Sequence, residues 1–134
     1  MIERIGTGPI ILDASAALAV ILGERRARAL TGEILRRSVI STVNLAEVQS
    51  KLVRAGYDPE IAWEDALSVT AAVEPYTAEQ AKIAGTLIAQ TQRQGLSLGD
   101  RSCLALAIVR NAAVCTTDQV WQNLQIGVKV HIIR

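Results

Sequence analysis

Short apolar runs alternate with longer amphipathic stretches along this chain, and the two patterns predict alternating strands and helices. Apolar β-branched runs bounded by turn residues predict buried strands, whereas apolar positions that recur every three or four residues predict helices. Strands are predicted at residues 10–12, 39–40, 73–76, 113–116 and 128–133. Helices are predicted at residues 14–22, 24–37, 43–55, 59–70, 77–94 and 98–111.

Strands separated by helices indicate an α/β fold, with a short parallel sheet flanked by helices on both faces. Local signals support several boundaries. Asp58 before Pro59 predicts a helix start, Thr77 with Gln80 resembles a capping box, and Gly95 predicts a helix end. The 134 residues contain no repeat or linker-like tract, so we expect a single domain over residues 1–134.

Composition and charge set the limits of the functional interpretation. Half of the residues are apolar and none is Phe, so the core must consist of Ala, Val, Leu and Ile. The net charge of +1 gives no general attraction to nucleic acid, so phosphate contacts would have to come from local basic patches. The longest apolar run, residues 14–22, is shorter than the roughly 20 residues that span a bilayer. Without a signal-peptide pattern at the N-terminus, we expect a cytoplasmic protein that does not enter the membrane.

The residues that often ligate metals or attack substrates give little signal on their own. Cys103 and Cys115 lie in apolar segments with no Cys-x-x-Cys spacing, which favours buried, reduced thiols over a disulfide or half of a metal site. His131 lies in the last predicted strand, far in sequence from the acidic residues below. It is interpreted as a packed or edge histidine without an acid–base role.

Four acidic residues stand out by their position relative to the predicted elements. Asp13 and Asp118 follow strands, while Glu47 and Asp100 lie in the first turns of helices that begin at the same edge of the sheet. Because sites in parallel α/β sheets form at the carboxyl ends of the strands, all four side chains are expected to converge there. Each also has a structural explanation: Asp13 and Asp118 as helix caps, Glu47 paired with Asn44, and Asp100 at a helix dipole.

Together the four acids indicate chemistry that none indicates alone. They would repel one another without a cation, and hard oxygen ligands suit Mg²⁺ or Mn²⁺. Such a site fits metal-assisted hydrolysis of a phosphodiester bond. The chain has no Walker loop, no Gly-x-Gly-x-x-Gly and no nucleophilic serine elbow.

The segments that carry the acids resemble the motifs of the PIN domain family of ribonucleases, especially the VapC toxins of VapBC toxin–antitoxin pairs. The resemblance covers residues 10–132, and its four segments are Ile-Leu-Asp13-Ala-Ser15, Val-Asn44-Leu-Ala-Glu47-Val, Leu-Ser-Leu-Gly-Asp100-Arg-Ser-Cys-Leu-Ala-Leu-Ala and Thr116-Thr117-Asp118. The tail Asp118-Gln-Val-Trp121 is also typical of VapC-like members. Gly99 departs from the pattern, where Ala is commoner.

The resemblance implies an endoribonuclease that uses Mg²⁺ or Mn²⁺ to cleave RNA. It also implies a homodimer that a cognate antitoxin protein holds in check. Carried over by position, the metal-site acids would be Asp13, Glu47, Asp100 and Asp118, and Ser15 and Thr116 would be polar supports.

Several interpretations stay open at this stage. A receiver-type signalling domain would need an acidic pair after the first strand, which Asp13 does not form. A PIN fold that only binds partners and a housekeeping RNA-processing nuclease are both compatible with the sequence. Lys51 and Arg54 are candidate RNA contacts, as are the arginines between residues 25 and 37, although a solvated helix face explains most of the latter. Trp63 and Trp121 would stack on bases or, more simply, pack at a core or an interface.

Overall fold

A five-stranded, fully parallel sheet forms the centre of the fold, in the computed structural model, which describes residues 6–134. The strands are β1 (Ile10–Leu12), β2 (Ser38–Ser41), β3 (Ala72–Glu74), β4 (Ala113–Thr116) and β5 (Val130–Ile132). Their order across the sheet is β3-β2-β1-β4-β5. All five strands were predicted, and the α/β class is confirmed.

Helices cover both faces of this sheet. They are α1 (Ala14–Ile21), α2 (Gly32–Leu35), α3 (Thr42–Arg54), α4 (Pro59–Ser68), α5 (Ala78–Thr86), α6 (Ile88–Thr91) and α7 (Leu98–Arg110), with 3₁₀ turns at Arg25–Ala29, Gln92–Gln94 and Gln119–Asn123. Helices α1–α4 pack on the face that carries Leu12 and Ile40, and α5 and α7 pack with Trp121 on the face that carries Ile11 and Val114. Trp121 is therefore a core residue.

Two predicted helices are interrupted. The stretch 24–37 forms a 3₁₀ turn and the short α2, because Thr31 adopts an extended backbone and caps a new helix at the amide of Ile34. The stretch 77–94 breaks after Thr86, whose hydroxyl donates to the carbonyl of Lys82, a bond that competes with the helical pattern. Thr77 caps α5, but Gln80 donates to the carbonyl of Pro75 and so does not complete a capping box.

The strand order brings the site into position. Successive connections run from β1 outward to β3, and the chain then crosses back to place β4 on the other side of β1. The adjacent carboxyl ends of β1 and β4 form a switch point, where ligands bind in open α/β sheets. Asp13 and Asp118 follow these two strands. Within residues 6–134, no helix combines the length and the apolar character needed to cross a membrane.

Candidate active site

Asp13 is a buried carboxylate at the switch point, and its side chain is only 4% exposed. It caps α1 by accepting from the amide of Ala16 at 2.8 Å. The hydroxyl of Ser15 donates to both carboxylate oxygens, at 2.7 and 2.9 Å, and that of Thr116 donates at 2.5 Å. Burial nevertheless outweighs these bonds and, with a smaller contribution from the charge of Asp100, raises the pKa of Asp13 to about 6.

Ser15 and Thr116 also connect Asp13 to the turn that carries Asp118. The hydroxyl of Thr116 accepts from the amide of Asp118 at 3.1 Å, and that of Ser15 accepts from the amide of Thr117 at 3.0 Å. Asp118 itself is exposed and caps the following 3₁₀ turn through the amide of Val120. The two residues that the sequence suggested as polar supports thus lie between the two acids.

Glu47 lies in the second turn of α3, where Asn44 holds it against α7. The Asn44 amide nitrogen donates to Glu47 Oε1 at 2.7 Å and to the carbonyl of Gly99 at 3.1 Å. The pairing of Asn44 with Glu47 is therefore real, but it is not a capping box, because Ser41 caps α3. Asn44 is the link between the two helices, a role that its place in the motif did not reveal.

Asp100 is the third residue of α7 and completes a capping box with Ser97. Its carboxylate accepts from the backbone amide of Ser97 at 2.9 Å, and the Ser97 hydroxyl accepts from the amide of Asp100 at 3.1 Å. The motif contains this Ser-x-x-Asp spacing. The sequence analysis explained the position of Asp100 only by its interaction with a helix dipole.

The charges of three of the acids act on one buried thiol of the core. The thiol of Cys103 is fully buried on α7, and its pKa is raised first by burial and then by the charges of Asp13, Asp100 and Glu47. Asp118 joins the group through Thr116. Burial likewise raises the pKa of Cys115 to about 12, so both cysteines are free, buried and protonated, in agreement with the sequence interpretation.

The donor set fits a divalent cation. Among residues 6–134, no three His, Cys, Asp or Glu side chains are already grouped to hold a metal. Asp100 and Asp118 each accept a capping hydrogen bond at one carboxylate oxygen. The other oxygen of each accepts none from the described residues and is left for a ligand. Asn44 Oδ1 is buried beside Glu47 and has no partner among the described residues. Oxygen donors of this kind suit Mg²⁺ and Mn²⁺.

Among residues 6–134, none of the remaining candidates hydrogen-bonds to these acids. His131 is buried in β5, opposite Cys115, and its pKa is lowered by burial and by the nearby charge of Lys129. Lys51 and Arg54 are exposed on the later turns of α3. Trp63, also exposed, lies on α4.

Comparison with known proteins identifies the family. The PIN domain profile matches residues 10–126, so the chain belongs to the PIN domain family. The fold is similar to that of VapBC2 from Rickettsia felis bound to a promoter DNA fragment, with 17% identity, a TM-score of 0.74 and coverage of 93% of this chain and 98% of that one. It is also similar to DNA-bound VapBC from Salmonella typhimurium, with 19% identity, a TM-score of 0.75 and coverage of 96% and 100%.

A third similar structure is Mycobacterium tuberculosis VapC20, described as a toxin that cleaves the sarcin-ricin loop. It shares 20% identity and a TM-score of 0.71, with coverage of 90% of this chain and 98% of that one. No curated protein matches the sequence significantly. The resemblance seen in the motifs is confirmed at the level of the family and its fold.

Proposed function

We propose that this protein is a Mg²⁺- or Mn²⁺-dependent endoribonuclease and the toxin of a toxin–antitoxin pair. The observation that carries the proposal is that hydrogen bonds tie the four acids together in two pairs. Thr116 links Asp13 to the amide of Asp118. Asn44 links Glu47 to the carbonyl of Gly99, the residue next to Asp100. The similar VapC20 structure, a toxin that cleaves the sarcin-ricin loop, supports RNA as the substrate class.

The four acids would hold the cation, and hydrogen bonds already fix the orientation of two of them. Asp13 is fixed by Ser15, Ala16 and Thr116, and Glu47 is fixed by Asn44. A divalent ion held there would lower the pKa of a water molecule and offset negative charge on the scissile phosphate. Lys51 is one turn beyond Glu47 on the same helix face, and we expect it to contact the RNA backbone.

The partner in this proposal is an antitoxin protein. α3 has more apolar positions than one core-facing stripe needs, and α4 covers the surplus with Ala62 and Ala66, which pack with Leu45 and Val48. Apolar side chains are instead exposed on the outer side of this layer, at Leu22, Val53, Ile61, Trp63 and Leu67. We propose that an amphipathic antitoxin segment binds there. The similarity to VapBC complexes supports a partner of this kind.

Cleavage of a structured RNA pool by the purified, antitoxin-free protein tests the activity. Mn²⁺ should support cleavage and EDTA should abolish it. Asp118→Asn preserves the cap but removes the charge, so the rate should fall about tenfold or more, the equivalent of 1.4 kcal/mol. His131→Ala is the control and should keep nearly full turnover. EDTA-resistant cleavage, or an Asp118→Asn protein as active as the wild type, would contradict the proposal.

Expression from the native operon tests the partner. An antitoxin should co-purify with the wild-type protein, and Trp63→Glu should reduce its recovery. A wild-type protein that purifies alone, while still cleaving RNA, would favour a housekeeping RNA-processing nuclease.

A further inference from the structure

We propose that Gly99 is a positioning residue of this site, which seats the Glu47 carboxylate on α7 beside Asp100 and thereby sets the metal affinity. This inference rests on the proposed metal-dependent function and names a residue that controls it. Gly99 would act through Glu47 and would not itself touch the metal or the substrate.

The space above Gly99 is filled by the carboxylate of Glu47. A Cβ atom on Gly99 would lie 2.3 Å from Glu47 Oε2 and 2.6 Å from both Cδ and Oε1. Real Cβ atoms essentially never approach another heavy atom within 3.0 Å. Gly99 does not have a positive φ and lies within α7, so the backbone conformation does not require glycine. What requires it is the room for the carboxylate.

Two further interactions keep the carboxylate in this seat. Asn44 bridges the helices, because its amide nitrogen donates both to Glu47 Oε1 and to the Gly99 carbonyl. The seat also lies on the first turn of a 13-residue helix, whose N-terminal end attracts negative charge. That attraction favours a second negative charge beside Asp100, the residue next to the seat.

An added methyl group at position 99 should move Glu47 without unfolding the protein. The blocked atoms are the end of a flexible side chain, and Ala is favoured over Gly inside a helix. Gly99→Ala should therefore displace the carboxylate, break its bond to Asn44 and remove one acid from the vicinity of Asp100. Loss of a group that orients a ligand typically weakens metal binding about 10- to 100-fold.

A double-mutant cycle with Glu47→Ala measures this coupling through Mn²⁺ affinity, determined by calorimetric titration. Gly99→Ala and Glu47→Ala should each weaken binding by about tenfold or more. The double variant should bind no more weakly than Glu47→Ala alone, since the methyl group then has nothing to displace. Gly85→Ala is the matched control, because it lies in α5 with no atom within 4 Å of the added Cβ, and it should leave the affinity unchanged.

A metal-free crystal structure of Gly99→Ala tests the seat independently of the metal. The Glu47 carboxylate should lie away from α7, with its bond to Asn44 broken. Wild-type Mn²⁺ affinity in Gly99→Ala, or further weakening by this change in the Glu47→Ala background, would overturn the proposal. If the wild-type protein itself bound no Mn²⁺, the metal dependence would fail, and the crystal structure alone would decide whether the seat exists.

Discussion

Replacing Asp13 with Asn removes the charge of this residue while retaining a side chain that caps helices about equally well. Folding raises the pKa of Asp13 from 3.8 to about 6. Between pH 3.8 and about pH 6, the folded protein therefore binds this proton more tightly than the unfolded chain does. The wild-type protein therefore loses stability as pH rises through this window. The loss is fully present above about pH 6 and amounts to roughly 3 kcal/mol.

The Asn variant avoids this loss, because it has no proton to release. At pH 7.5 in EDTA, its free energy of unfolding should exceed that of the wild type by about 1–3 kcal/mol, the lower value allowing for imperfect hydrogen bonds to Ser15 and Thr116. At pH 4 the difference should almost vanish, since Asp13 is then protonated in the folded wild type. Urea unfolding followed by circular dichroism measures both values.

Asp58→Asn provides the matched control for this experiment. Asp58 is an exposed cap, at the start of α4, that accepts from the amides of Glu60 and Ile61. Its replacement should change stability by less than about 0.5 kcal/mol at either pH. An Asp13→Asn protein that is no more stable than the wild type at pH 7.5, or whose advantage persists at pH 4, would refute the assignment of a buried, strained charge.

Three further predictions concern the metal and self-association. Mn²⁺ at a hundred times its dissociation constant should stabilise the protein by about 2.7 kcal/mol. Asp100→Asn should reduce the resulting rise in melting temperature. Identical melting curves of the wild type with and without metal would contradict a shared site. Mn²⁺ affinity should fall as pH drops through about 6, because binding must displace the proton of Asp13, and titrations at pH 5 and 7 should reveal this difference. Light scattering should give the mass of a homodimer for the wild type, whereas a wild-type monomer would exclude the dimer.

The acids at the strand ends could be predicted because their placement depends only on the order of residues along the chain. Asp13 directly follows an apolar run and Asp118 comes two residues after the end of β4, and parallel strands bring such positions to one edge of the sheet. Glu47 and Asp100 followed from the same rule, since their helices begin at that edge. The helix breaks at Thr31 and Thr86 were missed because a single hydroxyl, not the hydrophobic period, decides them.

The seat of Glu47 could not be predicted, because it depends on which faces of α3 and α7 meet. Asn44 and Gly99 are distant in sequence, and nothing local to either residue indicates that one donates to the carbonyl of the other. The only signal was that Gly99 departs from a motif in which Ala is commoner. The packing of α4 on the apolar surplus of α3 depends on tertiary contacts in the same way.

Helix capping explains the positions of three of the four acids. Their positions alone therefore cannot distinguish a catalytic site from a purely structural role. Asp13, Asp100 and Asp118 all lie where a helix or 3₁₀ turn begins, and stability favours Asp at such positions. Glu47 caps nothing in the described structure, yet a glycine and a buried asparagine are arranged around it. The capping role of Asp13 does not explain why this residue is charged. Asn would cap α1 equally well without the loss of about 3 kcal/mol of stability that the buried charge causes at neutral pH. A charge kept at that cost is expected where a cation is to be bound. The buried charge of Asp13, more than the number of acids, therefore favours a metal site at the switch point.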